Sequence, residues 1–272
     1  MDFTEIDMFL TEVDKSRYAA IAHDKSGGYK LGVDLGTAYT VLVALDARGN
    51  PAACEMEYAD VVRDGLVLDF NGARKIVSRL KDKIERRLNA KLRTAAIAVP
   101  PGTGERDQGT HRYVCEGAGL DVTAVLNEPE AANAVLRITD GAVVDIGGGT
   151  TGLSVFSGGK MVYTADEPTG GTHMTLVIAG NRRIPYNEAE TYKCEASNSA
   201  EVFSLVTPVI SKIGTIINKH IRGYNPGRLV LVGGACKIAG MEAIIEQETG
   251  IAVYKPNNPL LVTPAGIAMN CI

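Results

Sequence analysis

A chain of 272 residues, 45% hydrophobic and 22% charged, has enough apolar side chains for a sizeable core, which excludes wholesale disorder. Its formal net charge of −4 gives no electrostatic footprint for nucleic acid. Five scattered cysteines without a CxxC pair, no apolar run of about 18 residues and no leader-like N-terminus predict a soluble, reduced, cytoplasmic protein, without disulfides, a zinc site or a membrane anchor.

Residues 1–27 form a unit of their own. Ile6, Phe9, Leu10 and Val13 fall at helical spacing, and Ser26-Gly27-Gly28 breaks the pattern. A helix packed on its own domain is expected, with docking to another protein as the alternative. Strands are expected at 30–35, 39–45 and 51–57, a meander turned by Asp46-Ala47-Arg48-Gly49-Asn50. The apolar stripe Ile76, Val77, Leu80, Ile84 and Leu88 predicts a long helix with Asn71 as its N-cap. Between Arg74 and Arg93 lie nine Lys/Arg and two acids, a solvated basic face or a surface for an acidic partner.

Strand 94–99, helix 105–118, strand 122–126, helix 128–137 and strand 141–146 then alternate. That pattern belongs to an α/β fold whose largely parallel sheet is covered on both faces. A second meander occupies 142–165, and a helix opens after Gly170-Gly171; the polar stretch 181–198 gives no assignment. A helix at 199–222 containing Pro208, strand 228–232, a helix from 236, a short strand near 252 and a helix at 261–270 follow. The order meander, helix, strand, helix thus occurs twice. It predicts lobes at 28–137 and 138–272, with a cleft between them and a short insertion near 181–198.

The two meanders carry related turns. In the windows 33–45 and 144–156 the Val, the Asp, one Gly, one Thr and one Leu coincide. Each copy is an apolar strand that ends on a carboxylate, Asp34 or Asp145, breaks at glycine, and restarts after hydroxyl residues. An Asp at a strand end can hold a hydrated divalent cation. Glycines at Gly36 and Gly147-Gly148-Gly149 tolerate positive φ and let main-chain N–H groups approach an anion. Thr37, Thr40, Thr150 and Thr151 add hydroxyl donors, and Ala38 and Tyr39 complete the first turn. An ordinary hairpin explains either copy alone, but not both.

Three further segments join them. Asn127-Glu128-Pro129 suits the start of a helix, with Asn127 as N-cap and Glu128 placed to share a metal or water with Asp34 and Asp145. Val232-Gly233-Gly234, running on through Lys237 to Gly240, is a buried strand entering a turn where backbone can lie flat beneath a base. Pro168-Thr169-Gly170-Gly171-Thr172 is a helix N-terminus able to take phosphate. His23, His111 and His220 show no metal-ligand spacing, His173 reads as a surface polar group, and Cys236 as a packing residue.

This set resembles the actin/Hsp70/sugar-kinase superfamily of ATPases. Asp34–Thr40 and Asp145–Thr151 are similar to its phosphate motifs, Asn127–Ala134 and Thr263–Met269 to its connecting motifs, and Val232–Gly240 to its adenosine motif. Asn127-Glu128-Pro129 and Val232-Gly233-Gly234 are similar to Hsp70 chaperones, Arg63-Asp64-Gly65 to the MreB group, and Gly170-Gly171 with Thr175 and Ile178-Ala179 to FtsA and pilus M-type proteins. The whole chain most resembles the ethanolamine-utilisation J-type family.

The resemblance implies duplicated ribonuclease-H-like (actin-like) lobes, each a mixed five-stranded sheet flanked by helices, with a nucleotide cleft between them. It implies ATP or ADP with Mg²⁺ as cofactors. Asp34 and Asp145 would orient the hydrated metal and Glu128 the attacking water. Gly36, Thr37, Ala38, Tyr39, Gly147, Gly148, Gly149 and Thr150 would hold the phosphates, Gly170 and Gly171 would cap them, and Gly233, Gly234 and Lys237 would meet adenosine. Lys75 is the nearest lysine in sequence to the γ-phosphate position of Hsp70, and Lys237 stands where chaperones place Arg.

The functional expectation is a nucleotide-switched chaperone or assembly factor, acting on a protein client such as an ethanolamine-degrading enzyme or a microcompartment component. An MreB/FtsA-like cytoskeletal ATPase and a small-molecule kinase are the alternatives. The chain has no segment matching an Hsp70 substrate-binding domain, short insertions where filaments make their contacts, and no basic amphipathic C-terminal tail. These features count against peptide clamping, polymerisation and FtsA-type anchoring.

Overall fold

The computed structural model describes residues 3–19, 21 and 27–272. His23 and Ser26, read above from sequence, lie outside the described residues. The first helix, α1 (Thr4–Lys15), buries Leu10 and Val13. A meander follows, β1 (Tyr29–Leu35), β2 (Tyr39–Asp46) and β3 (Pro51–Tyr58). Asp46 turns it by accepting from the N–H groups of Arg48 and Asn50 at 2.9 and 2.8 Å.

A short hairpin, β4 (Val62–Arg63) with β5 (Leu66–Val67), was not expected. Asp64 and Gly65, at φ 49° and 77°, make its turn, the conformation that an Asp-Gly pair favours. Helix α2 (Phe70–Leu88) follows, and its cap differs from expectation. Asp69, not Asn71, is the N-cap, and its Oδ1 accepts from Gly72 N at 2.9 Å. Phe70 enters the helix one residue ahead of Asn71, so Asn71 is already inside the first turn.

Strand β6 (Thr94–Val99), α3 (Glu105–Gly117), β7 (Asp121–Asn127) and α4 (Glu128–Leu136) complete the first half. Asn127 occupies the N-cap position of α4, but its side chain makes no capping bond. The second half repeats the plan with β8 (Gly141–Ile146), β9 (Thr151–Ser157), β10 (Lys160–Glu167) and α5 (Gly171–Arg182). The unassigned polar stretch forms α6 (Tyr186–Cys194), anchored by the buried Ala189.

Helix α7 (Ser199–Ile221) keeps Pro208 in its interior and buries a stripe of Val202, Val206, Ile210, Ile213, Ile217 and Ile221. It is long and apolar enough to cross a membrane, yet that stripe packs inside the second lobe. After β11 (Leu229–Val232) the expected helix start at 236 is a 3₁₀ turn, Gly234–Lys237. The helix proper, α8 (Met241–Thr249), begins only after Gly240 at φ 87°. Strand β12 (Val253–Tyr254) and helix α9 (Val262–Met269) end the fold.

The two sheets have the same order. The first runs β3-β2-β1-β6-β7 and the second β10-β9-β8-β11-β12, each with an antiparallel meander joined to parallel strands. This is the expected α/β architecture of two actin-like lobes. Helices α2 and α3 cover the outer face of the first sheet, and α5, α7 and α8 that of the second.

Between the sheets lie α4 and α9, exchanged relative to chain order: α4 rests on β8 and β9, and α9 on β1 and β2. Glycine permits this crossing. A Cβ on Gly266 would stand 1.8 Å from the Ala131 carbonyl oxygen, and one on Gly32 would stand 2.5 Å from Ala268 N.

Candidate functional site

The two related turns meet at the cleft. Each follows its strand and is closed by the same bond: Gly36 N donates to Tyr39 O at 3.1 Å, and Gly147 N donates to Thr150 O at 3.0 Å. The loops touch, since a Cβ on Gly148 would lie 3.1 Å from Thr37 Cβ. The β4–β5 hairpin joins them, because a Cβ on Gly149 would lie 2.4 Å from Asp64 Oδ1. None of Gly36, Gly147, Gly148 and Gly149 has positive φ. The expectation that glycine serves backbone conformation here is therefore corrected. At Gly148 and Gly149 glycine serves close approach between the lobes, and positive φ is needed instead at Gly233 (94°), where a Cβ would overlap Asp145 Oδ1.

An inner cavity of about 80 Å³ is lined by both turns, Asp34, Glu128, Asp145, Gly233 and Gly234. Thr263, from α9, donates to Asp145 Oδ2 at 2.5 Å. Burial and the charge of Asp145 push the Asp34 carboxyl up to about 7. Burial likewise lifts Asp145 to about 6, against the lowering effect of the Thr263 bond. Glu128 is raised well above the carboxylate range by burial, then by Asp145, Asp34 and Asp166. Carboxylates gathered with so little positive charge nearby are stabilised by a divalent cation. Among the described residues no three His, Cys, Asp or Glu side chains are grouped to ligate one directly. Asp34, Glu128 and Asp145 supply the oxygen donors that a divalent cation takes.

An outer cavity of about 630 Å³ shares Ala38, Tyr39 and Gly234 with the inner one and is lined further by Arg17, Ala235, Lys237 and Ile238. Its size is that of an ordinary small-molecule site. Glu190 and Lys193 of α6 line it too, and sequence reasoning missed both. Lys193 Nζ donates to Glu190 Oε2 and to Thr175 Oγ1, each at 2.7 Å. Their only local signal was the i, i+3 spacing of an acid and a base in a polar stretch.

Apart from Lys75, the remaining residues singled out in the sequence lie around the cavities or in the packed core. At the start of α5 the N–H groups of Gly171 and Thr172 donate to the carbonyls of Gly147 and Gly148 at 2.9 and 2.7 Å. In this structure the Gly170-Gly171 segment thus braces the second turn and does not face the inner cavity. A Cβ on Gly170 would strike those carbonyls. Thr150 lines the inner cavity as expected. Lys75 is exposed on α2 and lines neither cavity. His111 is buried with Nε2 2.9 Å from Gly65 O, while His220 lies between Tyr163 and Glu167. Cys236 is fully buried and donates to Val232 O.

Comparison with known proteins agrees with this geometry. The family model for MreB/Mbl protein matches residues 53–201, and that for cell division protein FtsA matches 142–266. Ethanolamine utilization protein EutJ of Salmonella typhimurium is 45% identical over 88% of this chain and 84% of its own length. The crystal structure of ethanolamine utilization protein EutJ from Carboxydothermus hydrogenoformans superposes with a TM-score of 0.94 at 43% identity, covering 99% of both chains. That of MreB 5 of Spiroplasma citri bound to AMPPNP superposes at 0.70 and 17% identity over 88% of this chain and 94% of its own, which is likeness of fold.

Proposed function

The chain belongs to the family of ethanolamine utilization protein EutJ, within the actin/Hsp70 superfamily, and on that premise we propose that it is a nucleotide-switched chaperone or assembly factor for ethanolamine utilisation. One observation carries the reading. Two copies of one turn, each beside a strand-end Asp, face each other across a cleft that opens into a cavity of nucleoside size. An MreB of the same fold is described as bound to AMPPNP.

In this reading the 630 Å³ cavity takes the nucleoside, with Gly234, Lys237, Glu190 and Lys193 in its wall, and Gly233 lies at the inner cavity. The N–H groups of Thr37, Ala38, Gly148 and Gly149 point phosphates into the inner cavity. Mg²⁺, when bound, would supply the charge that offsets the carboxylates. Asp34 and Asp145 would hold it through water, and Glu128 would position the water that attacks. Hydrolysis in such a site rests on positioning, so turnover without a partner is slow.

The switch lies in the loop contact. In this reading a triphosphate entering the inner cavity parts Gly148 and Thr37, and that rotation of the lobes changes the surface offered to a client. The client would be an ethanolamine-degrading enzyme or a microcompartment component, met in the cytoplasm.

Titration calorimetry of ATP and ADP with Mg²⁺, on wild type and Asp34→Ala/Asp145→Ala, tests the reading, with phosphate release followed on the same samples. Micromolar, Mg²⁺-dependent binding that the double variant loses supports it, and absence of binding in wild type overturns it. A second reading, a filament-forming scaffold, draws on the MreB/Mbl and FtsA family matches; sedimentation of the protein with Mg-ATP would decide for it.

A further inference from the structure

We propose that His111 is a positioning residue of the cleft: its ring holds the β4–β5 hairpin against the second turn and so governs how long a bound nucleotide stays. This rests on the nucleotide reading above and adds to it a buried histidine that lines neither cavity.

The hairpin needs a hold from outside. Among the described residues it is a two-stranded sheet of its own, paired with neither lobe's sheet, and its ladder is Val62 with Val67 and Arg63 with Leu66. Such a pair is marginal in water by itself. Val62 and Val67 pack on the core of the first lobe, while Leu66 and Leu68 are exposed and add nothing to that packing.

Its turn nevertheless stands at the cleft. Val62, Gly65 and Pro100 line the inner cavity, and a Cβ on Gly65 would meet Pro100 Cγ at 2.7 Å. Toward the other lobe, the Asp64 N and Cα atoms each lie 3.0 Å from where a Cβ on Gly149 would stand. The first lobe thus supplies a wall of the inner cavity that presses on the second turn.

His111 supplies the hold. It belongs to α3, is 2% exposed, and places Nε2 2.9 Å from Gly65 O. A carbonyl only accepts, so Nε2 carries the proton. Nδ1 is buried with no hydrogen-bond partner, and a second proton there would add an unmatched donor. Burial accordingly holds the ring below the ordinary imidazole pKa, against the raising effects of the Gly65 bond and of Asp107. The ring is a neutral, single donor, and that donor goes to the turn residue that walls the cavity and not to a neighbour in α3.

The test is stopped-flow release of a fluorescent ADP analogue, loaded with Mg²⁺ on the full chain, in wild type, His111→Met, His111→Gln and Ile84→Val. His111→Met removes the donor and should speed release about fivefold, the factor that corresponds to one ordinary hydrogen bond. His111→Gln carries an amide N–H in place of Nε2 and should stay within about twofold of wild type. Ile84→Val destabilises the same core from the far half of α2 and should leave release unchanged. Hydrogen exchange without nucleotide should show faster exchange of amides 62–67 in His111→Met and not in His111→Gln. Release unchanged in His111→Met, or faster to the same degree in Ile84→Val or His111→Gln, overturns the assignment while leaving the nucleotide reading in place. Wild type that takes up no nucleotide overturns both. His111→Asn, whose amide is too short to reach Gly65 O, replaces His111→Met if that variant does not fold.

Discussion

The Tyr254 hydroxyl donates to Asp7 Oδ2 at 3.0 Å, tying the first helix of the chain to the edge strand of the second lobe. Asp7 Oδ1 also accepts from Asn257 N at 2.9 Å, and Phe3 stacks on Tyr254 with ring centroids 3.3 Å apart. The other end of α1 belongs to the first lobe, where Arg87 and Cys54 N both donate to Ser16 O. Leu10 and Val13 fill the apolar seam between the lobes. Helix α1 therefore bridges both lobes.

Cutting that tie should free the lobes. Asp7→Ala removes two side-chain bonds and should cost about 1–2 kcal/mol. For a chain of this length that lowers Tm by about 2–4 °C per kcal/mol. Release of a fluorescent ADP analogue, followed by stopped flow, should accelerate severalfold because opening becomes easier. Slower or unchanged release, with the expected loss of Tm, would show that α1 stabilises the fold without governing the cleft.

The cleft carboxylates predict a pH dependence of stability. Asp34 at about 7 and Asp145 at about 6 lie above their ordinary 3.8, so between these values the folded chain holds protons that the unfolded chain has released. Their contribution is fully present below about pH 4 and declines as pH rises to about 7. Asp34→Asn should remove the Asp34 share. In EDTA its stability, measured against wild type by denaturant unfolding, should gain with rising pH, by on the order of 4 kcal/mol between about pH 4 and about pH 8. A difference that is flat from about pH 5 to 8 would contradict the assignment of Asp34 as a buried, uncompensated charge.

The helix crossing between the sheets admits a sharper test. Gly266→Ala places a methyl 1.8 Å from a backbone oxygen, which the neighbours relieve only by separating α4 from α9. A loss of about 3 kcal/mol or more is expected. Gly180→Ala, in the exposed face of α5 with nothing within 4 Å, should instead stabilise by about 0.5–1 kcal/mol. Denaturant midpoints of the two variants should move in opposite directions, and parallel movement would mean that the crossing is looser than described.

The parts of this site legible in the sequence are those set by local pattern. Asp34 and Asp145 stand at the ends of apolar runs, and the repeat of turn residues marks both loops without knowledge of their contacts. Glu128 announces itself through the helix start that follows it. Glu190 and Lys193 were missed because α6 buries only Ala189 among the residues that form it, too weak a stripe for periodicity to detect. The contact of Asp64 with Gly149 joins residues from different lobes, and no local rule sees it.

The exchange of α4 and α9 also bears on how the chain is made. As a ribosome releases the polypeptide, the first sheet can pair its strands and receive α2 and α3 on one side. Its other side must wait for Val262, Ala265 and Ala268, which emerge only after nearly all of the second half has been synthesised. Until then the nascent protein carries an uncovered apolar sheet, a form prone to mispairing with its neighbours on the same message.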